Sequence, residues 1–325
     1  MLGDKIEHYK LTGQKLKNTP AQYKKEFPWL KEVDSLALAN AQLNLEKAYK
    51  NFFRDKNVGF PKFKNKKNNH HSYTTNNQNG TVSIDNGYIK LPKVKSIVKI
   101  KQHRVFVGLI KSCTISQSPS GKYFVSILVE CEIEKLPQLE TNVGIDVGIK
   151  NFAVLSDQSI IENPKHLRKS EKRLAKLQRD LSRKQLGSQN RAKSRIKVAL
   201  LHEKITNQRK DFLHKASSKI ISDNQAIVLE DLRIKNMVQN RKLAKSISEV
   251  SWGRFRIMIE YKAAWYGRTV IIAPRSYASS QLCSVCGNKS NQTKDLSCRT
   301  YLCAVCGLEI DRDYNASLNL LKLAV

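Results

Sequence analysis

The chain has 325 residues, 58 Lys and Arg against 28 Asp and Glu, and a formal net charge of +30. That length holds two or three domains with real cores, and so one-sided a charge makes a polyanion the default partner. No long apolar run, amphipathic anchor or signal-like start supports a membrane protein, and seven clustered cysteines do not make a secreted disulfide framework, so a cytoplasmic or nucleoid setting is expected.

Residues 1–56 read as helical. Leu38, Ala41, Leu45, Ala48 and Phe52 share one face, Thr19-Pro20 reads as a cap, and Phe27-Pro28-Trp29 breaks the pattern. Residues 57–80 read as a polar, basic linker in which Lys62, Lys64, Lys66 and Lys67 interleave with Phe60, Phe63 and Tyr73. Lysines among aromatics suit phosphate contact with base stacking; a solvated charged loop is the bland alternative. Residues 81–136 alternate as strands, split by Asp85-Asn86-Gly87 and Ser118-Pro119-Ser120-Gly121, and suggest a small barrel. Cys113 and Cys131 read as buried thiols, and residues 137–142 as a boundary.

Val143–Leu155 predicts two short strands joined by a tight turn. Asp146 stands in the first of them, among apolar residues and without a neighbouring cation. Such a carboxylate either caps a turn or belongs to a metal site, because burying it unpaired is costly. Residues 164–215 predict two antiparallel helices turning at Gly187-Ser188, with apolar faces Leu174, Leu177, Leu181 and Ile196, Leu200, Leu201. Arg168, Arg173, Lys176, Arg179, Arg183 and Arg191 surround them with few acids, a one-sided charge that suits a nucleic-acid backbone. Residues 225–232 read as a strand ending at Glu230, with Asp231 pointing the other way. Residues 251–266 read as a helix with Trp252, Phe255, Met258, Ile259 and Trp265 in the core, and Thr269–Ala273 as a buried strand.

Cys283-x2-Cys286-x16-Cys303-x2-Cys306 has the spacing of a tetrahedral zinc site, with Gly287 and Gly307 after each pair. Four thiolates leave no open position, so one zinc here is structural; Cys298 lies outside the pattern. Asp313 follows shortly and opens an apolar-periodic helix; Asp311 is its rival. Asp146, Glu230 and Asp313, taken together, are the carboxylate set that two Mg²⁺ ions need for phosphodiester hydrolysis, in the order of an RNase H-like core.

The segments GIDVGIKNFAVLSD, IVLEDL, SSQLCSVCG and CAVCGLEIDRDYNASLNLL resemble the RuvC-type core and zinc ribbon of the TnpB family, transposon-encoded RNA-guided DNA nucleases related to compact type V CRISPR effectors. GFPKFKNKK resembles that family's linker. The resemblance implies an α/β multidomain protein: a helical recognition domain (1–66), a β-barrel wedge domain (67–138) and a RuvC-like nuclease domain (139–325) with a basic helical insertion (164–215) and a ribbon (279–308). It implies catalytic Asp146, Glu230 and Asp313, a guide RNA from the transposon end, and double-stranded target DNA cut beside a transposon-adjacent motif. Lys64, Lys66, Lys67 and His70 are the candidates for reading that motif. Members usually begin with a strand rich in Tyr and basic residues; this chain starts inside the helical part, so it reads as N-terminally shortened. A monomer is the expected state. The alternatives are a guided DNA-binding repressor that does not cut, and an unguided nuclease or transposase of the same fold.

Overall fold

The computed structural model describes residues 1–63, 71–295 and 297–324. The chain divides into two compact units, one ending at Glu132 and one beginning at Ile133.

The first unit opens with α1 (Leu2–Thr12), two 3₁₀ turns (Pro20–Lys24 and Pro28–Lys31) and α2 (Ser35–Arg54). The Asp34 carboxylate caps α2, accepting from the Leu36 and Ala37 N–H groups at 3.2 Å each. Strand β1 (His71–Asn76) lies inside the stretch expected to be a linker. β2 (Ser83–Asp85), β3 (Tyr88–Lys90), β4 (Val98–Lys99), β5 (Leu109–Gln117) and β6 (Tyr123–Glu130) follow. β1 pairs antiparallel with β5, and the Thr74 and Thr114 hydroxyls meet across the pair at 2.8 Å. The polar composition hid this strand; its threonines and Tyr73 carry the β propensity. The buried Thr75 hydroxyl donates to Asp34, which ties the helix cap to the strand. In the capped turn Ala37 is buried, whereas Ala41, expected inward, is exposed. Instead of one continuous barrel, the described strands form two three-stranded sheets, β1-β5-β6 and β2-β3-β4, around Val82, Ile89, Leu91 and Cys113. Cys131 is exposed, because it lies past the last paired residue of β6.

The second unit is built on a five-stranded sheet. β7 (Asn142–Val147), β8 (Asn151–Leu155) and β9 (Ile160–Glu162) form an antiparallel meander. Helices α3 (His166–Ser182) and α4 (Gln189–Asp223) lead to β10 (Ala226–Glu230), which runs parallel to β7. Then come α5 (Ile234–Met237), α6 (Ala244–Val250), α7 (Trp252–Tyr266) and β11 (Thr269–Ala273), parallel to β10. The sheet order is β11-β10-β7-β8-β9. The short pair β12 (Thr300–Leu302) and β13 (Glu309–Asp311) precedes α8 (Arg312–Leu321).

Alternation along the strands sorts the two faces of this sheet. Val143 and Ile145 of β7, with Ile227 and Leu229 of β10, join Leu213, Ile220 and Ile221 of α4 and Phe255 and Ile259 of α7 in the main core. The intervening positions face the other way. Val228 packs with Ala273 and with Leu320 of α8. Gly144 lies so close under α8 that a Cβ there would sit 2.1 Å from the Ser317 carbonyl and 2.5 Å from the Leu321 nitrogen. Asp146 and Glu230, two residues on from Gly144 and Val228, therefore lie on the face that α8 covers.

Several expectations are corrected. α4 runs past Lys215 to Asp223, and its second half is part of the main core. The α3–α4 contact uses Leu174, Leu177, Val198, Leu201 and Ile205, while Ile196 and Leu200 are exposed. The pairing forces this choice, since only one stripe of a long helix can face its partner. Trp265 is 47% exposed and stacks edge-on with Tyr261 at 4.6 Å. β11 is an edge strand with only Ala273 buried. Two polar side chains fix the ends of α3. The Glu249 carboxylate accepts from the Leu167 and Arg168 N–H groups at 2.9 and 3.2 Å, and the Arg191 guanidinium donates to the Leu181 and Lys184 carbonyls at 2.8 and 3.0 Å. Among the described residues no helix is long and apolar enough to cross a membrane.

Gly144→Ala forces α8 off the sheet and is expected to cost about 3 kcal/mol or more. Urea unfolding followed by circular dichroism checks this; a midpoint equal to that of the unaltered protein contradicts the close packing.

Candidate metal centre

Three carboxylates lie on the α8 side of the sheet. β7 and β10 run in parallel with Ile145 opposite Leu229, so the next residues, Asp146 and Glu230, are neighbours across the pair. Asp313 is the second residue of α8, whose seat on Gly144 brings it to the same place. Loss of water pushes the Asp146 carboxyl well above its ordinary range, and the charges of Glu230 and Asp313 push it further, against a smaller pull from Arg312. Glu230 is raised chiefly by burial and by Asp313, against a hydrogen bond from Ser279. No side chain among the described residues hydrogen-bonds to Asp146. The Ser279 hydroxyl donates to Glu230 Oε1 at 2.5 Å. Asp313 Oδ1 accepts from Arg312 Nε and Nη2 at 3.1 and 2.8 Å, and its Oδ2 faces Arg299 Nη1 at 3.6 Å. The three acids are coupled by charge, but their oxygens do not gather as closely as the four cysteine sulfurs described below.

The rival acids are occupied elsewhere. Asp231 binds Arg256 at 2.7 Å and Arg275 at 2.5 Å, and those bonds hold its carboxyl below the usual range. Asp311 caps α8, accepting from the Tyr314 N–H at 2.9 Å.

A buried amide clamp holds α8 to the loop before the cysteines. Asn315 Nδ2 and Asn319 Nδ2 both donate to the Leu282 carbonyl, at 2.6 and 2.7 Å. Asn319 also donates to the Ser279 carbonyl at 2.9 Å, Asn315 Oδ1 accepts from the Ser284 N–H at 2.9 Å, and the Tyr277 hydroxyl donates to the Asn319 carbonyl at 2.7 Å. Reading the sequence missed this clamp, Ser279, Arg312 and Glu249. The only sequence signal was two asparagines four apart, on one face of an otherwise apolar helix.

Cys283, Cys286, Cys303 and Cys306 bring their sulfurs within 4.8 Å of one another. Two matching knuckles do this. The Gly287 N–H bonds the Cys283 carbonyl at 3.0 Å, and the Gly307 N–H bonds the Cys303 carbonyl at 3.0 Å. Both glycines adopt φ near the left-handed region, 73° and 72°, where a side chain is strained. N–H groups of Cys306 and Val305 hold the Cys303 thiol down to about 6. Tyr301, fully buried beneath, donates its hydroxyl to the Asn288 carbonyl at 2.8 Å. Four convergent sulfurs with no disulfide among them can bind zinc. Cys298 bonds the Thr300 carbonyl instead, at 3.1 Å.

Of the candidate nucleic-acid contacts, Arg173, Lys176, Arg179 and Arg183 are exposed along α3, and Lys62 is exposed. Lys64, Lys66, Lys67 and His70 lie outside the described residues. Arg168 is engaged with Ser246 at 2.6 Å and Glu249 at 3.8 Å, so that it and Arg191 serve the fold.

Residues 126–241 match the OrfB_IS605 family, described as "Probable transposase", and residues 252–320 match "Cas12f1-like, TNB domain". The chain is 40% identical over 300 residues to the "Putative RNA-guided DNA endonuclease" of Streptomyces pristinaespiralis, covering 91% of this chain and 73% of that one. It is 34% identical over 313 residues to the "Putative RNA-guided DNA endonuclease InsQ" of Escherichia coli (strain K12), covering 91% and 76%. It shares its fold with a protein in a cryo-EM structure of a Cas12f1–sgRNA–target DNA complex, at a TM-score of 0.62 and 16% identity, over 98% of this chain and 79% of that one.

Cys303→Ser, at a buried ligand position, is expected to remove bound zinc and lower the melting temperature. Elemental analysis of the two purified proteins checks this, and equal zinc content contradicts the assignment.

Proposed function

Since this chain belongs to the TnpB family, whose matched curated members carry the name RNA-guided DNA endonuclease, we propose that it cuts double-stranded DNA beside a transposon-adjacent motif under the direction of an RNA from the transposon end. The observation that carries this reading is the convergence of Asp146, Glu230 and Asp313 on one face of the sheet.

The mixed sheet, with two parallel strands bearing acids and a C-terminal helix bearing the third, supports an RNase H-like, RuvC-type core from residue 139 onward. The helical segment 1–66 and the strands of 67–138 serve as recognition and wedge domains in this reading. A buried carboxyl, Asp146, that the charges of Glu230 and Asp313 push up and that has no side-chain hydrogen-bond donor among the described residues makes with them a donor set suited to hard divalent cations. Asp146, Glu230 and Asp313 would hold two Mg²⁺ ions, which when bound supply an activated water and stabilise the leaving oxygen. The protein's own contribution is to fix those oxygens. Asp146 and Glu230 stand at the ends of adjacent strands, and α8 delivers Asp313. The Cys₄ centre takes one structural zinc and stiffens the chain just ahead of α8.

Sequence is read by base pairing to the guide, so the protein needs only to grip backbone. The exposed row Arg173, Lys176, Arg179 and Arg183, with Lys62, Lys64, Lys66, Lys67 and His70, supplies that grip in this reading.

Expression with the native flanking DNA, followed by sequencing of co-purifying RNA, is expected to return a dominant species running from the 3′ end of the gene into the flank. No enriched RNA on folded protein favours an unguided nuclease. Asp146→Ala is expected to abolish Mg²⁺-dependent cutting and to leave RNA binding unchanged. Equal cleavage by the variant contradicts the site, and guided binding without cleavage by the unaltered protein favours a repressor.

A further inference from the structure

Two of the three carboxylates are held by groups that lie in the cysteine ribbon or are bonded to it. Ser279 stands four residues before Cys283, is 3% exposed, and donates its hydroxyl to Glu230 Oε1 at 2.5 Å. Its own carbonyl is fixed by Asn319 at 2.9 Å. Arg312 stands six residues after Cys306 and is 8% exposed, a rare burial for a guanidinium. Its Nε and Nη2 converge on Asp313 Oδ1 at 3.1 and 2.8 Å, and its Nη1 donates to the Cys298 carbonyl at 3.2 Å. Its backbone N–H bonds the Arg299 carbonyl at 2.8 Å. The guanidinium thus spans from the segment entering β12 to the carboxylate on α8. A rigid planar fork can make these contacts together, whereas a single ammonium cannot.

We propose that Ser279 and Arg312 are positioning residues through which the folded ribbon sets the orientation of Glu230 and Asp313. This rests on the reading of those carboxylates as the metal-binding acids. Neither group needs to touch substrate. Each fixes one oxygen of its carboxylate by a bond whose other end is anchored in the ribbon or its clamp. The second oxygen of Glu230 is then available to a cation, and that of Asp313 faces Arg299 Nη1 at 3.6 Å, the guanidinium a cation would displace. Groups that orient metal ligands in this way commonly change metal affinity by about 10- to 100-fold when removed.

The test is a titration of the RNA-bound full-length protein with Mn²⁺, read both by electron paramagnetic resonance of free Mn²⁺ and by DNA cleavage. The variants are Ser279→Ala, Ser279→Thr, Arg312→Gln and Arg312→Lys, with Asp146→Asn as control. Melting temperature and zinc content are measured on each. The expected result is a Mn²⁺ midpoint raised about 10-fold in Ser279→Ala, Arg312→Gln and Arg312→Lys, with zinc retained, and partly restored in Ser279→Thr. A rate near that of the unaltered protein at saturating Mn²⁺ is also expected. Unchanged midpoints in Ser279→Ala and Arg312→Gln, with Asp146→Asn unable to bind, overturn the proposal and leave the carboxylate reading intact. Normal Mn²⁺ binding by Asp146→Asn overturns both. If Arg312→Gln loses its zinc, Ser279→Ala and Arg312→Lys decide the question, since the first deletes a single bond and the second keeps the positive charge while breaking the fork. Midpoints unchanged in those two overturn the proposal.

Discussion

The second unit depends on the approach of α8 to the backbone of β7 at Gly144. No other residue type fits there, because a Cβ would overlap the Ser317 carbonyl and the Leu321 nitrogen. The approach does two things. It closes the apolar contact of Leu320 with Val228 and Ala273 on the thin side of the sheet. It also sets the first turn of α8, and with it Asp313, beside Asp146 and Glu230. Burying the Asp146 carboxyl beside the charges of Glu230 and Asp313 opposes folding. The apolar contacts on both faces of the sheet and the amide clamp of Asn315 and Asn319 hold them together.

Around that contact the structure separates support from chemistry. The basic residues expected to form one surface fall into two groups. Arg168 and Arg191 secure the ends of α3, while Arg173, Lys176, Arg179 and Arg183 remain in solvent. The acids divide likewise. Glu249, Asp231 and Asp311 each serve a helix end or a guanidinium, which leaves Asp146 with no such partner among the described residues.

Much of this was legible in the sequence where one periodicity ruled. The strands around Asp146 and Glu230, the helix beginning at Trp252 and the cysteine spacing stand as the pattern reads them. The pattern failed where a tertiary contact chose among equivalent faces. On α2 the expected face is half-buried at Leu38, Leu45, Ala48 and Phe52 but exposed at Ala41, while the buried position is Ala37, in the turn that Asp34 caps and ties to Thr75. β1 was hidden, since a strand of His, Ser, Thr and Asn carries no hydrophobic alternation and is held by pairing to β5. The full length of α4 is not legible in the sequence, because its charged first half and buried second half read as different segments. The bond of Ser279 to Glu230 joins segments 49 residues apart and has no signature in the sequence, and nothing in the sequence marks the guanidinium of Arg312, beside Asp313, as buried.

The most direct measurement is an anomalous difference map from crystals of the protein soaked in Mn²⁺. The account predicts peaks bounded by Asp146, Glu230 and Asp313, separate from the zinc signal at the four cysteines. Saturated Mn²⁺ peaks elsewhere, with that face of the sheet empty, contradict it.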